Sequence, residues 1–119
     1  MFKSANQEID KILINEEIRL HGFFRLEGVQ TLLIAGAIDI VHPITFISSA
    51  GAIAMTLANG VEGQIKTIKA IDTVAGTITL TPTTYELSTI SFTATGQAWT
   101  GIFYKGEWKT LFNQGCTLA

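Results

Sequence analysis

Apolar and polar residues alternate with a period of two through much of the C-terminal half of the chain, most clearly over residues 76–112. Two Thr-Ile segments begin at Thr77 and Thr89, and Gly or Pro interrupts each apolar run. A period of two is typical of a β-strand with one buried face, and short strands at this spacing are typical of small all-β domains. The pattern therefore predicts an all-β fold.

Extended along the chain, the same pattern predicts about eight antiparallel strands in a single β-sandwich or small barrel-like domain over residues 21–119. Residues 32–37 form a continuous apolar run, which predicts a strand buried on both faces. Residues 64–71 alternate, so Ile65 and Ile68 are expected on opposite faces of another strand.

Residues 1–20 carry more charge than the rest and are predicted to form an N-terminal arm or extension. Ser4 and Gln7 match a capping box before a short helix, although an extended arm fits equally well. Ten helical residues are only marginally stable alone, so the segment should dock on a partner or on its own domain. The side chains expected to make a contact with a neighbour are Phe2, Ile9, Ile12 and Leu13.

Composition favours a protein that is partly covered by other subunits. Of the 119 residues, 47% are apolar and 15% charged, against roughly 25% charged in an average domain. A monomer surfaced with Thr, Ser, Asn and Gln is the alternative. The net charge of −2 without a basic block argues against nucleic-acid binding. The apolar runs are far shorter than the ~20 residues that span a bilayer, and no signal-peptide core is recognisable, so we expect no membrane association.

No recognisable catalytic, metal or cofactor motif is present. His21 and His42 do not belong to a set of three or four ligands at suitable spacing. Cys116 is the only cysteine, so it forms no internal disulfide, and no basic neighbour activates it. Gly60 and Gly63 lack the Lys-Ser/Thr of a phosphate loop. We therefore expect no enzymatic activity, no metal and no cofactor.

The hairpin of residues 98–112 holds the most prominent aromatic cluster. Trp99 and Phe103 share one face of its first strand, while Ile102 and Tyr104 share the other. The predicted core and subunit-interface residues are Trp99, Phe103, Trp108 and Phe112. A glycan-stacking platform is the alternative, and it requires an exposed Trp99 or Trp108.

The order of turns and strands from residue 39 onwards resembles that of small structural proteins of tailed bacteriophages, which occur as head decoration (cement) proteins and as modules of tail fibres and spikes. The segments that carry this resemblance include Thr56-Leu57-Ala58-Asn59-Gly60-Val61-Glu62-Gly63-Gln64, Gly76-Thr77-Ile78-Thr79-Leu80-Thr81-Pro82 and Asn113-Gln114-Gly115-Cys116-Thr117. The chain departs from the expected pattern in its cysteine at 116 and in the strongly apolar segment 98–104.

This resemblance implies an all-β subunit that assembles as a homotrimer on a virion and has no catalytic residues. It favours a decoration protein that is made in the bacterial host cytoplasm and binds the major capsid protein, and possibly other virion proteins, on the outer capsid surface. In that reading residues 1–20 contact the capsid or clasp a neighbour, and the aromatic hairpin holds the trimer together. A tail-fibre, spike or adaptor module is the main alternative, and a lectin-like carbohydrate-binding module is the second.

Overall fold

The computed structural model describes residues 28–119, which form ten strands in two five-stranded sheets. The predicted arm of residues 1–20, including Phe2, Ile9, Ile12 and Leu13, lies outside the described residues. The strands are β1 Gln30–Leu32, β2 Gly36–Ile38, β3 Ile44–Ser49, β4 Ile53–Leu57, β5 Ile65–Val74, β6 Ile78–Pro82, β7 Ile90–Phe92, β8 Ala98–Tyr104, β9 Glu107–Gln114 and β10 Thr117–Leu118. The all-β prediction is confirmed for this part of the chain.

The strand directions differ from the prediction. In the first sheet, ordered β1-β3-β5-β8-β9, the pairs β1–β3 and β3–β5 are parallel. In the second sheet, ordered β10-β7-β6-β4-β2, the pairs β2–β4 and β4–β6 are also parallel. The prediction of about eight antiparallel strands is therefore wrong for β1–β6, which pair in parallel. Period-two alternation is the same in parallel and antiparallel strands and does not show how a strand pairs with the next strand of its sheet.

The first six strands wind as a parallel coil, the name we use for β1–β6. Odd-numbered strands lie in the first sheet and even-numbered strands in the second, so the chain changes sheet at every connection. Strands β7 to β10 then add antiparallel pairs to both sheets. The crossover that parallel pairing requires is supplied here by a strand of the other sheet.

One hydrophobic core joins the two sheets. It draws Ile47, Ile68 and Trp99 from the first sheet, and Leu80 and Phe92 from the second. In β5 the buried positions alternate with open ones, and Ile68 is fully buried while Ile65 is exposed. The two side chains therefore lie on opposite faces, as the alternation predicts, and the structure shows which of the two faces belongs to the core.

The apolar run 32–37 is not a doubly buried strand. Gln30–Leu32 and Gly36–Ile38 are separate short strands in different sheets, and Leu33 and Ile34 lie exposed at the corner between them. The run sits at the end of the parallel coil, where each sheet has its last strand. It therefore has described neighbours on one side only, and its hydrophobicity did not reveal this.

A lysine is buried inside the first sheet. Lys66 points inward from β5 and is fully buried, and its Nζ donates to the carbonyl oxygen of His42 at 2.5 Å. Asp39 Oδ1 lies 3.8 Å from the same Nζ and accepts hydrogen bonds from the backbone N–H groups of Val41 and His42. Lys66 thus fastens the crossover between β2 and β3. Burial lowers the pKa of Lys66 to about 8, although attraction by Asp39 raises it.

We predict that stability rises with pH in the range where only folded Lys66 has lost its proton. The folded pKa of about 8 lies below the ordinary value of 10.5, so between them the unfolded chain binds more protons. The free energy of unfolding should then increase with pH, by at most roughly 3 kcal/mol. Urea unfolding across this range, with Lys66→Met as the control, measures the effect. Parallel pH profiles for the two proteins would refute it.

Candidate functional site

Four of the five buried aromatic rings of the C-terminal half form a connected chain of edge contacts. Trp99 lies 6.0 Å from Tyr85 and 6.3 Å from Trp108, and Phe103 lies 5.4 Å from Trp108, measured between ring centroids. All three contacts have the T-shaped geometry that aromatic pairs favour. Three of the four residues predicted for the core and the subunit interface lie in the core of the chain, namely Trp99, Phe103 and Trp108.

The polar atoms of these aromatic residues find partners within the same chain. Trp99 Nε1 donates to Thr110 Oγ1 at 2.8 Å, and the Tyr85 hydroxyl lies 2.6 Å from the same oxygen. Trp108 Nε1 donates to the carbonyl oxygen of Ala58 at 2.9 Å. Because both indoles are fully buried and hydrogen-bonded, neither offers a ring face on which a sugar could stack.

Phe112, in contrast, is exposed on the surface. The pairing of β8 with β9 runs regularly to Gly101 and Thr110, then skips one residue, so that Thr100 pairs with Phe112 and Leu111 is the extra residue. A bulge of this kind changes which face the following side chains occupy. Thr110 still points into the core, whereas Leu111 and Phe112 are 56% and 58% exposed. The sequence pattern placed Phe112 with Trp108, and the bulge separates them.

The outward-facing side of the first sheet carries several exposed or half-buried apolar side chains. Phe112 lies beside Thr100, and Thr100 beside Thr67, across three neighbouring strands. Ile65 pairs with Ile102 in the adjacent row, and Ile65 is 52% exposed. We call this surface the apolar face. Its members are Ile44, Phe46, Ile65, Ile102, Tyr104, Leu111 and Phe112.

Few charges interrupt this surface. Lys109 lies opposite Ile102 and its Nζ is 2.7 Å from Glu107 Oε2, so the two charges neutralise each other at one margin. Glu107 raises the pKa of Lys109 through this hydrogen bond. Lys69 lies between Phe46 and Ala98 in another row. Monomeric proteins seldom expose large contiguous apolar patches, and a patch with a polar rim is typical of a protein interface.

The remaining candidates contribute no reactive group to this surface. His42 Nδ1 lies 2.9 Å from Asp39 Oδ2, and no group of three metal-ligating side chains occurs within residues 28–119. Cys116 is buried, and burial raises the pKa of its thiol to about 11. In the same range there is no helix long and apolar enough to cross a membrane. His21 and the arm residues lie outside the described part of the chain.

The sequence pattern predicted only part of the apolar face. Ile102 and Tyr104 were placed correctly opposite Trp99 and Phe103, and Ile65 was placed opposite Ile68. What was missing was the pairing that sets these residues side by side. The exposure of Leu111 had no sequence signal, because the pattern of β9 does not show a bulge.

We predict that the apolar face holds copies of this chain together and that Phe112→Asp weakens the contact. Burying the open half of Phe112 should contribute roughly 1 kcal/mol, half the value for a whole side chain, and a buried carboxylate would oppose association strongly. Light scattering after gel filtration at micromolar concentration should show a trimer for the parent and a smaller species for the variant. Val61→Asp, at an exposed loop residue outside the apolar face, is the control. A monomeric parent would contradict the prediction.

Comparison of the chain with protein-family models and with curated protein sequences finds no match.

Proposed function

We propose that this protein is a structural subunit of a tailed-phage virion, and specifically a homotrimeric decoration protein that binds the outer capsid surface and stabilises the head. The observation that carries the proposal is the apolar face of the first sheet. A subunit with this much open apolar surface in a charge-poor chain is well suited to permanent contact with other protein. The resemblance of the turns and strands to phage structural proteins supports a location on a virion and a trimeric state.

In the proposed assembly the two sheets pack as a β-sandwich, and each subunit presents its apolar face to its neighbours around a threefold axis. Ile65, Tyr104, Leu111 and Phe112 would be buried there, with the Lys109–Glu107 pair at the margin. Trp99, Phe103 and Trp108 would stabilise the subunit that carries the face without touching the neighbour. Of the four aromatic residues predicted for the core and the subunit interface, only Phe112 would then lie at the interface.

Decoration would work by mass action, with no chemical step. A protein that binds only the assembled lattice stabilises that lattice in proportion to how fully its sites are occupied. A trimer has three equivalent contacts, so its avidity can exceed that of one subunit by orders of magnitude when all three engage together. Such a protein needs a rigid body and a complementary surface. The buried aromatic chain and the parallel coil supply the rigidity.

The capsid contact is assigned to the N-terminal arm, residues 1–20. Its apolar residues Phe2, Ile9, Ile12 and Leu13 would bind the major capsid protein or clasp a neighbouring subunit. This division leaves the apolar face for self-association and the arm for the partner.

A tail-fibre, spike or adaptor module uses the same kind of surface, and location on the particle separates it from a decoration protein. A lectin-like module is a further alternative. It would have to use an exposed ring such as Tyr104 or Phe112, since Trp99 and Trp108 are buried.

We predict that antibodies raised against the purified protein label the heads of intact virions throughout their surface. Electron microscopy with gold-labelled antibody makes this measurement, and antibody to a known tail protein of the same phage is the control. Capsids that lack the protein should also bind it when it is added back, and a form without residues 1–13 should bind less. Label confined to the tail would contradict decoration and favour the fibre or adaptor alternative.

A further inference from the structure

Three polar side chains meet at the crossover between β2 and β3. The amine of Lys66 reaches this point from the buried row of β5, and its Nζ lies 3.8 Å from Oδ1 of Asp39. The imidazole of His42 lies against the other carboxylate oxygen, with Nδ1 2.9 Å from Asp39 Oδ2. An amine and a carboxyl group held this close together are the two reactants of an amide bond. The groups that surround the pair determine whether it can react.

Both oxygens of the Asp39 carboxylate are held in place. Oδ1 accepts hydrogen bonds from the backbone N–H groups of Val41 at 3.1 Å and of His42 at 3.0 Å. Two backbone donors aimed at one oxygen form an oxyanion hole, which stabilises the negative charge that a carbonyl oxygen gains under attack. Oδ2 is within proton-transfer distance of the His42 imidazole. One oxygen is thus prepared to carry charge, and the other is prepared to leave.

The amine of Lys66 is both oriented and desolvated. Its Nζ donates to the carbonyl oxygen of His42 at 2.5 Å, and this contact also stabilises the positive charge that the nitrogen carries as it attacks. The side chain is fully buried, and burial lowers the pKa of Lys66 to about 8. A lysine desolvated in this way becomes a nucleophile near neutral pH, because part of its amine is then unprotonated.

We propose that Lys66 and Asp39 join in an intramolecular isopeptide bond, which the chain forms by itself with His42 as the group that transfers the proton. Nζ of Lys66 attacks Cγ of Asp39, so that a C–N bond forms and the bond from Cγ to Oδ2 breaks. Oδ1 remains as the oxygen of the new amide, still held by the two backbone N–H groups. The proposal does not depend on where the protein acts.

The reaction starts from the ion pair and consumes no other reactant. Burial acts to raise the pKa of Asp39, but the hydrogen bonds from His42 and the attraction by Lys66 lower it overall, so the carboxyl group is ionised. Of the three protons on the ammonium group, one stays on the amide nitrogen and two leave with Oδ2 as water. His42 gives a proton to Oδ2 and recovers one from the attacking nitrogen. The side chains of Asp39 and His42 are each 34% exposed, which gives the water a way out.

The fold supplies the driving force that two free molecules lack. Groups held in a reactive geometry reach effective molarities of about 10⁵–10⁸ M, so that condensation can proceed in water. The bond would close residues 39–66, which contain β3 and β4, into a covalent ring and attach the crossover to β5 in the middle of the first sheet. Since Cys116 is the only cysteine, this chain has no internal disulfide. The isopeptide bond would be its covalent staple.

Mass spectrometry of the intact full chain tests the proposal. After incubation at pH 8, near the pKa of Lys66, the parent should be lighter than its sequence by one water molecule. Fragmentation should place the bond between Asp39 and Lys66. Lys66→Arg keeps the charge but removes the nucleophile, so it should retain its full mass. Lys69→Arg, at an exposed lysine of the same strand, is the matched control and should lose water as the parent does.

A second variant tests the part assigned to the imidazole. His42→Ala keeps the backbone N–H and carbonyl groups of residue 42 and removes only the ring. The rate of water loss should fall at least about hundredfold, as expected when a general acid is removed, while tryptophan fluorescence shows that the variant is folded. An unchanged rate would contradict the role of His42.

A parent that keeps the full mass of its sequence would overturn the proposal and leave Lys66 and Asp39 as an ion pair. Loss of water at another position, such as succinimide formation at a different aspartate, would overturn it too, and fragmentation distinguishes the two. The mass of the parent decides the question even if Lys66→Arg fails to fold. Because an amide nitrogen does not titrate in this range, the pH-dependent stability predicted for Lys66 applies to chains that still have their full mass.

Discussion

The packing of Trp99 against Thr110 and Gly101 is the constraint on which the C-terminal half depends. Trp99 on β8 is fully buried and donates its indole N–H to Thr110 Oγ1 on β9, and the same oxygen meets the Tyr85 hydroxyl. Gly101 lies opposite Thr110, and a Cβ at that position would overlap the Trp99 ring. The glycine thus gives the indole its space. Loss of that space would force a large ring to move in a core that packs at crystal-like density.

The same arrangement explains the outer surface. Thr110 must face the core to form its hydrogen bonds with Trp99 and Tyr85, and the bulge at Leu111 follows immediately. Beyond the bulge, Leu111 and Phe112 are open to solvent instead of continuing the buried row from Trp108. One extra residue therefore separates a strand into a core half and a surface half. The exposure of Leu111 and Phe112 on the apolar face is therefore a consequence of the inward orientation of Thr110.

The sequence predicted the fold where local pattern is sufficient. Alternation predicted which residues share a face in β5 and β8, and the hairpin of residues 98–112 was predicted too. The two residues of its loop, Lys105 and Gly106, have positive φ of 52° and 83°. Those values suit a two-residue loop between antiparallel strands. The all-β class of the fold and the sharing of one face by Trp99 and Phe103 followed from these local rules.

What could not be predicted depends on neighbours distant in the sequence. Apolar and polar residues alternate in the same way in parallel and antiparallel strands. The sequence pattern therefore could not predict that β1–β6 wind between two sheets. The run 32–37 looks doubly buried, yet it lies where the described sheets end. Lys66 sits in the buried row of β5 because His42 and Asp39, on another connection, receive its ammonium group. Burying a charged side chain is costly unless it is paired and hydrogen-bonded, and only the tertiary structure supplies these partners for Lys66.

The central claim is that the aromatic core belongs to the single subunit, while the apolar face is what joins one subunit to another. Acrylamide quenching of tryptophan fluorescence tests it most directly, because Trp99 and Trp108 are the only two tryptophans. Quenching should be compared between the assembled parent and the Phe112→Asp protein after its dissociation. We predict equally weak quenching in both, since the two indoles are buried without a partner. A marked rise on dissociation would place the tryptophans at the interface and contradict this division.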